Sequence, residues 1–331
     1  MTTKPEHRSA RIDFFREQLS WEDNIVLVAL LGLGAIFTLT SQYFLTPDNL
    51  INILRQTAII GVLGVGMTFA IISAEIDISI GGITGIAGML AAMTISPTYL
   101  GLPWWAGILV GIAVGVGFGL LNGWITVKVG IPSFLVTLGM LGVTSGLALI
   151  LTDTKPVRNV TAPKFFALFS GQIGPVPVIV IWAAVVITAG HIVLSRTKLG
   201  RHIYTTGDDA ESARYTGVDT DRVRILTLTV AGLVAGIAGL LLVARLNVAR
   251  PTMGNGLMLP TIAAVILGGT SLFGGRGWIP GTILGALLMS TIDNGLVLNG
   301  FGSSFQELIR GAVIIIAVAL RTEEGEGWIS N

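Results

Sequence analysis

Residues 61–93 read GVLGVGMTFAIISAEIDISIGGITGIAGMLAAM: an apolar helix, a short acidic break at Glu75 and Asp77, then a second helix rich in glycine. An apolar helix of about 20 residues crosses a hydrocarbon layer of roughly 30 Å, because each backbone polar group finds its partner inside the segment. Outward from this stretch, comparable runs recur at residues 24–44, 53–73, 78–95, 104–127, 133–151, 176–194, 225–243, 258–272, 279–298 and 306–320. The pattern predicts an all-α polytopic membrane protein with about ten transmembrane helices, those at 258–272 and 306–320 being the shortest. With 52% hydrophobic and 12% charged residues in 331, the chain lies well outside the range of soluble domains. The spans leave no room for a soluble core, so residues 24–320 read as one membrane domain. It lies between an N-terminal segment, 1–23, and a tail, 321–331.

Charge placement orients the chain. With the amino terminus in the cytoplasm, Lys128, the basic segment 196–224, Arg276 and Arg321 face the cytoplasm, while Lys155, Arg158, Lys164 and Arg250 face outward. The excess of inner positive charge puts both termini inside, with the loop bearing Lys155, Arg158 and Lys164 pointing the other way. Ile12, Phe14, Phe15 and Leu19 share one face of a short helix that carries Arg11, Arg16 and Glu17 on the other. The reading is an interfacial helix on the cytoplasmic leaflet, or else a tail that orders against a partner. A cleavable signal peptide is not expected, since these first residues have no apolar core.

No catalytic constellation emerges. The absence of cysteine excludes disulfides and thiolate metal sites, and His7, His191 and His202 are scattered. The chain is therefore not read as an enzyme, no metal or other cofactor is expected in it, and the net charge of +1 gives no basis for a nucleic-acid partner.

Ionisable groups near membrane depth are costly unless paired or wet, which makes Glu75 and Asp77 candidates for a solute path. Asp77 has an alternative role, capping the following helix through the backbone N–H of Ser79 or Ile80. Asn122 and Thr144 suit interhelical hydrogen bonds. Asp293, Asn294 and Asn299, toward the outer half of their span, offer amide and carboxylate hydrogen bonds to a hydroxylated solute. Residues 263–289, AAVILGGTSLFGGRGWIPGTILGALLM, repeat the helix–break–helix pattern of 61–93. The glycines of that break, Gly268, Gly269, Gly274 and Gly275, with Arg276, read as a tight cytoplasmic hairpin, because the phosphate-loop ending G-K-[ST] is missing.

The polar segment 196–224, RTKLGRHIYTTGDDAESARYTGVDTDRVR, has its own helical logic. Asp208 or Asp209 caps a helix of about two turns, Glu211 and Arg214 match its dipole, and Gly217 ends it. A helix that short is unstable alone, so it packs on a neighbouring protein or is braced as a connector by its own subunit.

Three segments carry a family resemblance. GMTFAIISAEIDISIGG (66–82), GRHIYTTGDDAESARYTGVDTDRVRI (200–225) and AAVILGGTSLFGGRGWIPGTILGALL (263–288) resemble the ribose, xylose and arabinose type ABC sugar permeases in order and spacing. Glu75 departs from that pattern, standing where the family usually has glycine. It signals a different ligand or a local partner such as Arg276. The resemblance implies the ABC importer permease fold in the bacterial inner membrane, moving a monosaccharide or related polyol by alternating access. Its implied partners are a second permease subunit, identical or closely related, a periplasmic sugar-binding protein, surrounding lipid, and an ATPase with two nucleotide-binding domains that holds the ATP and Mg. Within the segment from Asp208 to Gly217, the residues Asp208, Asp209, Ala210, Glu211, Arg214, Tyr215 and Gly217 would then enter a cleft of that ATPase. The alternatives are a branched-chain amino acid or nucleoside ABC permease, and an ion-coupled secondary transporter. A scarcity of aromatic residues in the spans argues against nucleobase stacking.

Overall fold

The computed structural model describes residues 21–322 apart from Asn159 and Thr161. The segment expected to form an N-terminal interfacial helix and nearly all of the tail lie outside the described residues. The chain runs through α1 (Trp21–Thr40), α2 (Pro47–Ile72), α3 (Ile80–Ile95), α4 (Trp104–Trp124) with a π turn (Ile125–Val129), α5 (Ser133–Thr152) and the short α6 (Pro163–Ser170). After a two-stranded hairpin, β1 (Gln172–Ile173) and β2 (Val176–Pro177), come α7 (Val178–Arg196), α8 (Lys198–Asp208), α9 (Ala210–Tyr215) and α10 (Thr220–Leu246). A 3₁₀ turn (Asn255–Leu257) leads into α11 (Met258–Leu267), followed by α12 (Ile279–Leu298) and α13 (Ser303–Thr322).

Every apolar run of the sequence overlaps one of these helices. Six, namely α2, α4, α5, α7, α10 and α12, are long and apolar enough to cross a membrane, by length and composition, among the described residues. The shorter ones have local causes. α3 has 16 residues and spans about 24 Å, less than the hydrocarbon thickness. α11 ends at Leu267, five residues before its apolar run does, because Gly269 adopts a left-handed φ of 96°. α2 starts earlier than its apolar run, at Pro47, whose missing N–H costs nothing in a first turn, with Asp48 beside the positive dipole end.

α10 is the central strut and packs on α2, α3 and α4. α12 joins α11, α2 and α1 on one flank, while α5 leans on α3 and α7 on α2. The seam between α4 and α10 is built from Gly115, Gly119 and Gly123 against Ile225, Leu228, Gly232 and Gly236, so close that the two backbones touch. Small residues allow that approach where lipid removes the hydrophobic drive between helices. α3 is buried along nearly its whole length inside the subunit.

Candidate functional site

Two polar groups occupy opposite ends of α2, a helix of 26 residues and about 39 Å. At one end stands α9. Asp209, with extended backbone, caps it: Oδ1 accepts the N–H of Glu211 at 2.9 Å and of Ser212 at 3.1 Å, and Oδ2 accepts the Ser212 hydroxyl at 2.6 Å. The Ser212 hydroxyl, and then its backbone N–H, hold the Asp209 carboxyl below the usual aspartate range. Asp208 instead closes α8. Gly217, at φ 88°, turns the chain back by donating its N–H to Arg214 O at 2.9 Å. Arg214 fastens α9 to α10 through Nε to Thr220 Oγ1 at 2.6 Å and Nη2 to Asp221 Oδ1 at 2.7 Å. The rest of α9 faces outward: Tyr215 is 82% exposed, and only Ala213 is buried. An open concavity of about 510 Å³ is lined by Ala210, Glu211, Arg214, Tyr215 and Arg224.

Beside α9 lies the break between α2 and α3. Ala74 takes a left-handed φ of 60°, and the buried Glu75 accepts from Arg224 Nε in the first turns of α10. One turn further along α10, Thr227 Oγ1 meets Ser73 Oγ at 3.0 Å. Asp77, also buried, accepts the Ser79 N–H at 2.9 Å and the Ser79 hydroxyl at 2.5 Å on Oδ1, while Asn122 Nδ2 donates to Ser79 Oγ at 2.9 Å. From the start of α5, Ser133 Oγ and Thr137 Oγ1 accept the N–H groups of Ile76 and Ile78 at 3.1 and 3.0 Å. The glycine hairpin closes the same end: Gly275 N–H donates to Ile72 O at 2.9 Å, and Tyr204 OH donates to Gly277 O at 2.7 Å. At the far end, Arg310 grips Asp293 with two bonds of 2.9 Å. Asn294 and Asn49 exchange amide hydrogen bonds of 2.9 and 2.8 Å, and Asn299 Nδ2 donates to Gly295 O of its own helix at 2.8 Å.

A family model described as the permease component of branched-chain amino acid transport systems matches residues 49–318, which contain both polar groups. The chain belongs to this permease family. The ribose import permease of Escherichia coli (strain K12) is 37% identical over 295 residues, 88% of this permease and 91% of that protein. The ribose import permease of Bacillus subtilis (strain 168) is 38% identical, over 88% and 90% of the two chains. The D-allose transport system permease of Escherichia coli (strain K12) is 33% identical over 321 residues, 96% and 97%. No solved structure matches the permease. It is a membrane transport subunit of an ABC importer and not an enzyme, with ATP hydrolysis on a separate chain, and it sits in the inner membrane as a multi-pass protein. Importers of this family imply an ATPase and a binding protein as partners.

In the permease, Glu75 pairs with Arg224 and not with Arg276, which is exposed and has no ionic partner among the described residues. The sequence reading puts Arg276 forward because it is expected on the same side as Glu75; the packing of α2 on α10 brings Arg224 to Glu75 instead. Asp77 and Asn122 come together through Ser79. Asp293 and Asn294 are adjacent on α12 but bond to different helices. Both candidate roles for Asp77 remain compatible with this geometry, since its contact with the Ser79 N–H fixes the turn just ahead of Ile80. Thr144 hydrogen-bonds to Met140 O of its own helix at 2.8 Å. The sequence reading named the Ser79 N–H as a partner of Asp77 but missed the Ser79 hydroxyl that links Asp77 to Asn122, and missed Arg224, Arg310 and Asn49 as partners. Arg310 carries a signal that could have found it: an arginine inside an apolar run needs a buried acid, and Asp293 is the acid of the preceding span. Among the described residues, no group of acidic and histidine side chains could hold a metal ion.

Proposed function

We propose that the permease carries a monosaccharide, of the ribose or allose kind, inward by alternating access. The relatives named for those sugars support the solute class, and they favour it over amino acids or nucleosides. In this reading about ten helices cross the inner membrane with both termini in the cytoplasm. Two permease subunits flank a central path, a periplasmic binding protein delivers the sugar, and an ATPase with two nucleotide-binding domains, holding ATP and Mg, works the cytoplasmic face.

The observation that carries the proposal is α9, a capped helix of six residues held out from the bundle. Such a helix would unravel in water without its cap and a surface to meet. Asp208, Asp209, Ala210, Glu211, Tyr215 and Gly217 would present it to the ATPase, and Arg214 would make its movement the movement of α10. From α10, Arg224 and Thr227 would pass the displacement to Glu75 and Ser73, and so to the break carrying Asp77 and Asn122. Contiguous bonded elements of this kind can couple sites when they have two discrete arrangements. Glu75, Asp77 and Asn122 then act as gate supports at the inner end of the path. Asp293 and Asn294 fix helices at its outer end, where Asn299 closes the last turn of α12, and Gly268, Gly269, Gly274, Gly275 and Arg276 form the hairpin that seats α8.

Reconstitution in proteoliposomes with the ATPase and binding protein tests this. ATP-dependent uptake of ribose, allose or xylose is expected, with Arg214→Glu leaving the permease inserted but uptake lost. Uptake by the permease alone down an ion gradient, or normal uptake by Arg214→Glu, would overturn the proposal.

A further inference from the structure

Phe273, at the tip of the glycine hairpin, is 88% exposed, as exposed as any large hydrophobic side chain among the described residues. Leu39 matches it, but Leu39 sits on α1 among other outward apolar residues such as Leu31 and Ile36, the surroundings expected of a lipid-facing helix. Phe273 stands instead on the loop between α11 and α12, outside any helix. Its hairpin packs on the joint between α8 and α9, where an added Cβ at Gly275 would lie 3.0 Å from Asp208 Cα and one at Gly274 would meet Gly207 O. Exposed residues at and just before that joint include Arg201, His202, Thr205, Asp208, Asp209 and Ala210.

The hairpin is also rigid. Ser271 N–H donates to Arg276 O at 3.0 Å, Gly274 N–H to Ser271 O at 3.2 Å and Phe273 N–H to Ser271 Oγ at 3.3 Å, while Ile72 and Tyr204 anchor its far limb. Positive φ at Gly274 and Gly275, 88° and 69°, makes the reversal possible without strain. A fixed, projecting aromatic residue on the same hairpin as an exposed arginine with no ionic partner among the described residues has the composition of a binding anchor and its rim, aromatic and arginine side chains being enriched at interface centres.

We propose that this hairpin is a second docking element for the ATPase subunit, with Phe273 entering an apolar pocket and Arg276 meeting a carboxylate on its edge. The inference rests on the coupling reading of α9. Its occupant follows from continuity: the hairpin abuts Asp208, so a protein that covers α9 reaches Phe273 as well. Two contacts on different covalent segments would also resist rotation of the ATPase about α9, which a single short helix cannot do.

The permease has no cysteine, so single cysteines give an unambiguous probe. Phe273→Cys, Tyr215→Cys and Leu39→Cys, each labelled with a benzophenone maleimide, are irradiated in membranes holding the assembled transporter. Adducts with the ATPase are expected from positions 273 and 215 and not from 39. In parallel, Phe273→Ala is expected to weaken ATPase binding to the purified permease roughly tenfold, the scale of a truncated interface anchor. An ATPase adduct from 215 with none from 273 overturns the hairpin proposal and leaves the coupling reading standing. Adducts from neither position overturn both, and an adduct from 273 to lipid or to a second permease copy overturns the hairpin proposal.

Discussion

Replacing Gly232 by alanine places a methyl group where the backbone of α4 already stands. The new Cβ would lie 2.7 Å from Gly119 Cα and also against Gly115 O. Carbon atoms prefer a separation of about 3.5 Å, so the helices must part by roughly 0.8 Å along a seam with no flexible side chain to yield. Overpacking of this kind costs about 1–3 kcal/mol, and alanine returns up to about 1 kcal/mol in helix propensity. With the full propensity gain subtracted, a net loss of up to about 2 kcal/mol follows, a factor of up to about 30 in the folded-to-unfolded ratio. Gly142→Ala is the control. No heavy atom lies within 4 Å of its would-be Cβ on α5, so only the propensity gain applies. Unfolding of the two purified variants in mixed micelles, followed by helix content against denaturing detergent, measures both. Gly232→Ala is expected to unfold earlier than the unmodified protein, and Gly142→Ala at the same point or later. If the order is reversed, the glycine seam is not what holds α4 to α10.

Arg224→Ala should cost about 3–5 kcal/mol, because it leaves the Glu75 carboxylate buried without its cation, whereas the double change Glu75→Met with Arg224→Met should recover most of the loss; thermal unfolding of the purified permease reads both. Asn49→Ala strands the Asn294 amide and should cost about 1–3 kcal/mol by the same assay, with a smaller effect for Asn299→Ala, whose bond lies within its own helix. The cap of α9 should depend on acidity: Asp209 has a lowered carboxyl pKa when folded, so its contribution is complete above the ordinary aspartate value of about 3.9 and is lost as pH falls through that value toward the folded one. Exchange of the Glu211 and Ser212 amides, corrected for the intrinsic rate, should show this step, and Asp209→Asn should abolish it.

What depends on neighbours along the chain is legible in the residues alone. Apolar length placed the helices, because a backbone in lipid must satisfy itself segment by segment. Asp208 or Asp209 and Gly217 marked the cap and the stop of α9, because such bonds join residues two to five apart, and the structure put the cap on Asp209. The partners of the buried charges and amides come from helix packing. Glu75 and Arg224 are separated by 149 positions, and Asn49 and Asn294 by 245. No local pattern encodes such pairs; they follow from which helix faces which. Packing also decided that α3 is interior, since a helix apolar on every side reads the same whether it faces lipid, a path or its own neighbours. The physical reason is that hydrophobicity fixes how long a segment stays out of water, while the close fit of glycine seams fixes which side chains meet.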